Sequence, residues 1–240
     1  MTVRSLRGLA LAALVLAAWA GLLAFTLGAF RLRWETAWMV PALMALQCWL
    51  FVGLFIIGHD SMHGSLAPAW PQLNRTLGRL ALFLYIGFDY ADALPKHHAH
   101  HRAPGGLQDP DFHISNRYWP WYLSFMFRYF GWGNVAFVAT ILAGLTLLGA
   151  PPLKIALFWA LPAILSSLQL FTFGTYLPHR REARAFADGH NARSNAWPEA
   201  LSLFTCFHFG YHHEHHLHPG EPWWRLPAVR RGLSLKEKRA

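Results

Sequence analysis

The chain of 240 residues is 54% apolar and 15% aromatic with only 14% charged residues, where an ordinary soluble domain carries about 25% charge, so composition argues against a soluble globule and for an integral membrane protein. The formal charge of +9 does not point to nucleic acid, because Lys and Arg sit at the edges of apolar runs and in the C-terminal part rather than in an aromatic-interleaved basic stripe. Anionic lipid headgroups account for that distribution, and an acidic electron-donor protein would use the same charge.

Four stretches are long and apolar enough to cross a bilayer core, which takes about 20 helical residues: 6–29, 36–58, 121–149 and 153–177. Between the second and third lies a weaker apolar stretch, 77–94, interrupted by Gly87, Asp89 and Asp92. It is expected to be an interfacial or re-entrant helix, because ionised groups at bilayer depth are costly. Arg4 and Arg7 precede the first stretch and place the N-terminus in the cytoplasm by the positive-inside rule, while Arg31 and Arg33 in the first loop pull the other way. The basic start, apolar core and small residues at Ala18 to Ala20 also describe a signal peptide; cleavage would leave the later crossings oriented as before. The expected architecture is a single all-α membrane domain with four transmembrane helices, interfacial helices, and a histidine-rich cytoplasmic cap formed by 59–120 and 178–240. Cys48 and Cys206 are too few for a secreted-type disulfide framework and read as free thiols.

Fifteen histidines outnumber the twelve acidic residues, and most fall in three clusters. His59 and His63 end the second apolar stretch four positions apart, so on a continuing helix both rings leave the same face. Such a pair grips a metal, or faces lipid headgroups. In His97-His98-Ala99-His100-His101, positions 97, 100 and 101 share one helical face and His98 leaves it. His212-His213-Glu214-His215-His216 repeats the spacing, with His213 and Glu214 off the face. A surface tract that binds adventitious metal does not explain two matching spacings beside membrane spans.

Eight convergent ring nitrogens exceed what one zinc ion uses, so two metal ions are implied. Imidazole suits iron, copper, zinc and nickel alike, and the Glu-x-x-His ligation of soluble di-iron bundles is absent. His179, at the end of the fourth stretch, is either a ninth ligand or a capping histidine. His208, four residues before His212, is a candidate for the same face or for packing; His113, His190 and His218 are weaker candidates. Metal-bound imidazoles usually donate their other N–H to a carboxylate or carbonyl, and Asp60, Asp109, Asp111 and Asp188 are placed for that role or are simply solvated acids.

These boxes resemble those of the membrane fatty acid desaturase and hydroxylase superfamily, with a His-x(3 or 4)-His box followed by two His-x-x-His-His boxes. The longer strings around them, His59-Asp60-Ser61-Met62-His63-Gly64, Asp109-Pro110-Asp111-Phe112-His113, Phe173 to Arg180, Tyr211 to Pro219 and Pro222-Trp223-Trp224-Arg225-Leu226-Pro227, are similar to those of the bacterial β-carotene ketolases. That resemblance implies a desaturase-like fold in the bacterial inner membrane and a non-haem di-iron centre. It also implies O2 as co-substrate, electrons from a ferredoxin-type donor, and oxidation of the C4 methylene of a β-ionone ring of a carotenoid. It makes His179 the ninth ligand beside His59, His63, His97, His100, His101, His212, His215 and His216. The Asn that such enzymes hold four residues earlier is here Thr175. An acyl-lipid desaturase or hydroxylase with the same metal site is the enzymatic alternative. A metal transporter would spread ionisable residues through the spans, which here hold no histidine away from one end.

Overall fold

The computed structural model describes residues 1–237, and among these the regular structure is helical throughout. Helix α1 (Thr2–Ala29) and helix α2 (Trp34–Met62) are the first two apolar stretches. From Gln47 to Met62, α2 is buried at almost every position, as expected for a helix that is apolar on all sides and sits among others. It packs against α1, against α3 (Pro71–Ile86) and against the later span.

Small residues set the close crossing of α2 with α3. A Cβ on Gly78 would lie 2.1 Å from the Ser61 hydroxyl, and one on Gly58 would lie 2.5 Å from the Leu82 side chain. The end of α2 needs outside donors for its last carbonyls, and it has them: Asn74 Nδ2 and the Tyr90 hydroxyl both donate to the Ser61 carbonyl, at 2.9 and 3.0 Å. That anchor fixes the turn that carries His59 and His63.

The weaker apolar stretch is two helices rather than one. Gly87 takes a left-handed conformation (φ 71°), which glycine adopts without steric cost, and closes α3 with Gly87 N–H on the Phe83 carbonyl and Phe88 N–H on that of Leu82, so that two of the helix's last carbonyls are satisfied. Asp89 then caps α4 (Tyr90–Arg102) by accepting from Ala91 N–H at 2.8 Å. With 16 residues, α3 is about 24 Å long, short of the roughly 30 Å bilayer core.

The third apolar stretch, expected as one helix over 121–149, is broken into α5 (Tyr118–Tyr129) and α6 (Trp132–Leu147), which meet at 85°. Phe130 and Gly131 are extended, and the Asn134 side chain caps the new start by accepting from Gly131 N–H while donating to the Ile86 carbonyl at the end of α3. Hydropathy does not register such a turn, because Phe130 and Trp132 on either side of it are apolar.

Helix α7 (Pro152–His179) carries two π-helical turns, Ala156–Ala160 and Thr172–Tyr176. Each ends two residues before a proline, Pro162 or Pro178. Proline lacks an N–H and its ring collides with the carbonyl four residues back; the wider turn accommodates both. It also inserts one residue and so rotates the C-terminal side chains, His179 among them, by about 100° around the helix axis. The chain ends with the short helices α8 (Glu199–Cys206) and α9 (His212–Leu217), then α10 (Leu226–Glu237). By length and composition α1, α2 and α7 are candidate membrane spans, with a fourth if the bent pair α5–α6 is one crossing.

Candidate metal centre

Helices α2 and α7 finish at the same place, so His59, His63 and His179 converge there, and α4 and α9 lay their histidine faces against them. The rings form two groups, within each of which the donor atoms all lie within 4.8 Å of one another: His59, His63, His97, His101 and His215 in one, His100, His179, His212 and His216 in the other. The groups abut where His101 stacks on His216 at 4.3 Å between centroids. Each His-x-x-His-His box is divided between them, whereas His59 and His63 both enter the five-ring group. His97 and His101 enter the five-ring group while His100 enters the other; His212 and His216 enter the four-ring group while His215 enters the first. At about 100° per residue, rings four apart lie about 40° from one another, and the remaining ring is about 100° from its neighbour, so one helix serves two sites.

The donor set fits a pair of metal ions. Nε2–Nε2 separations are 2.7 Å for His63–His97, 3.0 Å for His101–His215, 3.1 Å for His212–His216 and 3.2 Å for His100–His216; two nitrogens about 2.1 Å from one ion and at right angles to each other would lie about 3.0 Å apart. His216 Nε2 faces two other ring nitrogens, which a single proton cannot satisfy. Nε2 of His59 and of His179 are buried without a hydrogen-bond partner, a costly state for a polar atom unless a cation takes the lone pair. Burial, reinforced by neighbouring rings, holds His97, His212, His215 and His216 well below the usual imidazole range and takes His101 down to about 2. These rings are therefore neutral at physiological pH, the form that binds metal.

Outer partners orient the rings. His100 Nδ1–H donates to Asp109 at 3.0 Å, and Asp109 is itself held by the N–H groups of Gly105 and Asp111. Burial disfavours a charged His100, but Asp111 and Asp109 outweigh it and raise this ring above its ordinary value. His179 Nδ1–H donates to the Asn191 carbonyl at 2.7 Å, leaving Nε2 to face the group. Asn191 adopts a left-handed φ of 46° and ties its side chain to the Pro104 carbonyl. Asp60 receives His59 Nδ1–H at 3.3 Å and Trp223 N–H at 3.0 Å.

Two of the expected acids act otherwise. Asp188 receives His213, which lies outside both groups, at 2.8 Å, and its other oxygen accepts from His190 N–H. Asp111 lies 3.8 Å from His100 Nδ1, which is already committed to Asp109, and instead accepts the Tyr129 hydroxyl. Burial raises the Asp111 carboxyl above its ordinary range. His208 belongs to neither group, since left-handed Phe207 and His208 end the helix before α9 begins and the four-residue spacing to His212 loses its meaning. His98 turns away to the Met62 carbonyl, and His113, His190 and His218 join neither group.

A cavity ends on His59, His97, His100 and His212. Its walls are chiefly apolar, with Leu82, Tyr85, Phe88, Phe125 and Leu170 among them, and polar atoms enter from Asp111, Tyr129, Ser167 and Thr175. Phe209 lines the same end of the cavity as the rings: it meets His59 and His212 edge-on at 4.6 and 4.8 Å and sits over Gly174, where a Cβ would come within 2.7 Å of its ring. None of the apolar wall residues was legible in the sequence, where each is one aromatic or aliphatic among many. Asn191 gave no signal either, because it acts through its backbone.

The fatty acid desaturase profile matches residues 47–137 and 128–237. The chain belongs to the fatty acid desaturase family, among its β-carotene ketolases. It is 46% identical over 233 residues to a β-carotene ketolase of Paracoccus sp. (strain PC1), covering 93% of this chain and 92% of that protein. With the β-carotene ketolase of Paracoccus sp. (strain N81106 / MBIC 01143) it shares 51% identity over 183 residues, 76% of this chain and 75% of the relative. A zeaxanthin 4-ketolase of Chlamydomonas reinhardtii is 37% identical over 250 residues, which take in 96% of this chain and 55% of that longer protein. In a desaturase-family protein of this kind, an oxygenase with membrane-like helices, the two histidine groups at the foot of the apolar cavity fit a metal site.

Proposed function

We propose that the chain is an O2-dependent carotenoid 4-ketolase that oxidises the C4 methylene of a β-ionone ring, taking β-carotene to echinenone and canthaxanthin and accepting hydroxylated rings on the way to astaxanthin. The observation that carries this reading is the apolar cavity ending on His59, His97, His100 and His212. A carotenoid is long, uncharged and apolar, so shape and a few polar contacts must select it.

Two iron ions are assigned to the groups, one held by His59, His63, His97, His101 and His215 and the other by His100, His179, His212 and His216. When bound, they supply the O2-dependent oxidising power that an unactivated C–H bond requires. The protein's own part is to hold the ring against the histidines and to keep water out. Phe209, Phe88 and Leu170 exclude solvent from the reacting carbon, while Asp109 and the Asn191 carbonyl keep their imidazoles aimed inward. Each hydroxylation uses one O2, two electrons and two protons and releases one water; a second at the same carbon gives a geminal diol, which loses water to become the ketone.

The electrons come from an external ferredoxin-type carrier. In support, an open groove with His179 in its wall carries Arg181, Arg184 and Arg193 against Glu182 and Asp188, and this excess of positive charge suits an acidic partner. We further infer four crossings in the inner membrane with the metal centre on the cytoplasmic side. Because α2 and α7 both end at the histidines, the chain must cross once between Met62 and Pro152, and α5–α6 is the apolar segment available. Lys154 at the start of α7 bonds the Leu27 carbonyl at the end of α1, as a start on the far side requires.

Expression in a bacterium that accumulates β-carotene, with pigments and fatty acids analysed together and iron counted per purified chain, tests the reading. Ketocarotenoids and about two irons are expected; unchanged carotenoids with new double bonds in the fatty acids would replace it with an acyl-lipid desaturase.

A further inference from the structure

The cavity's walls are chiefly apolar, and beside His100 they carry a carboxylate, Asp111. There the loop 109–112 is pinned from behind: Trp121 Nε1–H donates to the Asp111 carbonyl at 2.7 Å, and Arg128 donates to the carbonyls of Pro110 and Phe112 at 2.7 and 3.0 Å. The Tyr129 hydroxyl donates to Asp111 Oδ1. Among the described residues nothing donates to Oδ2, which lies 3.8 Å from His100 Nδ1. Asp111 and Tyr129 both line the cavity. A fixed acceptor with one oxygen free, set into an apolar wall next to a ring of the metal centre, is what recognition of a substrate hydroxyl requires.

We propose that Asp111, held by Tyr129, is a subsite for the 3-hydroxyl of a hydroxylated β-ionone ring, and so sets the enzyme's preference between hydroxylated and plain carotenoids. The inference rests on the ketolase reading. C3 and C4 are adjacent carbons, so a hydroxyl donated to Asp111 Oδ2 leaves the C4 methylene one bond away, at the end of the cavity where His59, His100 and His212 converge. Zeaxanthin carries that hydroxyl on each ring and β-carotene does not; relatives of this chain bear both names. Asp109 is not available for this contact, since both its oxygens are engaged by His100, Gly105 and Asp111. Asp111 is the binding group here and Tyr129 a positioning residue that acts through it.

The test is the ratio of kcat/KM for zeaxanthin to that for β-carotene, measured on purified enzyme in detergent-solubilised or vesicle form. Asp111→Leu is expected to lower that ratio at least about tenfold, as loss of a hydroxyl contact does in sites built for one. Tyr129→Phe, which keeps the ring and its packing, should lower it about threefold or more, expressed mainly in KM for zeaxanthin. Asp111→Asn, which keeps an acceptor oxygen, should restore part of what Asp111→Leu loses. Equal losses for both substrates in Asp111→Leu and Tyr129→Phe would mark the pair as structural and overturn the proposal, as would an unchanged ratio or no turnover of zeaxanthin by the unaltered enzyme. Absence of ketone from either substrate in the unaltered enzyme would instead sink the ketolase reading itself.

Discussion

The five-ring and four-ring groups use the same donor atom but are held differently. In the five-ring group only His59 and His215 are fully buried, and its members come from the ends of three helices whose histidine spacing is regular. All four rings of the other group are buried. Two of them depend on residues outside any helix, His100 on Asp109 and His179 on the Asn191 carbonyl. In one half of the centre regular spacing sets which rings three packed helices present; the other half is completed by a π turn and two loops.

That asymmetry can be broken from either side. The largest effect is expected from His179→Ala, which leaves three rings in the buried group: iron per chain should fall by about half and ketone output by more than about 100-fold, since removal of a mere outer partner already costs 10–100-fold. His63→Ala, in the less buried group with four rings left, should lose less of both. Equal losses in the two variants would remove the distinction.

Next in size is Asp109→Ala, which frees His100 Nδ1. Metal affinity should fall about 10–100-fold, measured by chelator competition on the purified holoenzyme, with Asp109→Asn retaining part of it. An affinity unchanged in Asp109→Ala would mean that packing alone orients His100.

Gly174→Ala sharpens the role of the π turn. Its Cβ would press on the Phe209 ring, and overpacking of this kind costs about 1–3 kcal/mol, read as a fall in melting temperature and in ketone yield. Gly189→Ala, where a Cβ meets nothing within 4 Å, should leave melting unaltered. The smallest effect is expected from Asp188→Ala. This acid contacts His213 and not the grouped rings, so ketone output should stay within about twofold, the usual range for a surface change away from the site. A tenfold loss there would restore Asp188 to the metal centre.

The helical periodicity of His59/His63, His97/His100/His101 and His212/His215/His216 was enough to select rings that the fold does bring together, because spacing along one helix is a local property. The same logic failed at His208, whose four-residue relation to His212 is cut by two left-handed residues, and over 121–149, where Phe130 and Gly131 turn the chain by 85° within an apolar run. Asp111 was legible as an acid near the boxes but not as the one facing the cavity; that depends on Asp109 reaching His100 first.

By itself the sequence determined an apolar helical membrane chain whose histidines gather at one end of the spans, with enough ring nitrogens for two metal ions. Tertiary structure decided how the two His-x-x-His-His boxes are shared between two groups, which acid braces a ring and which lines the cavity, and what walls that cavity. Periodicity along one helix follows from backbone geometry. Distances between α2, α4, α7 and α9 are set instead by packing at residues such as Gly58, Gly78 and Gly174, where the lack of a Cβ lets neighbouring elements close to contact.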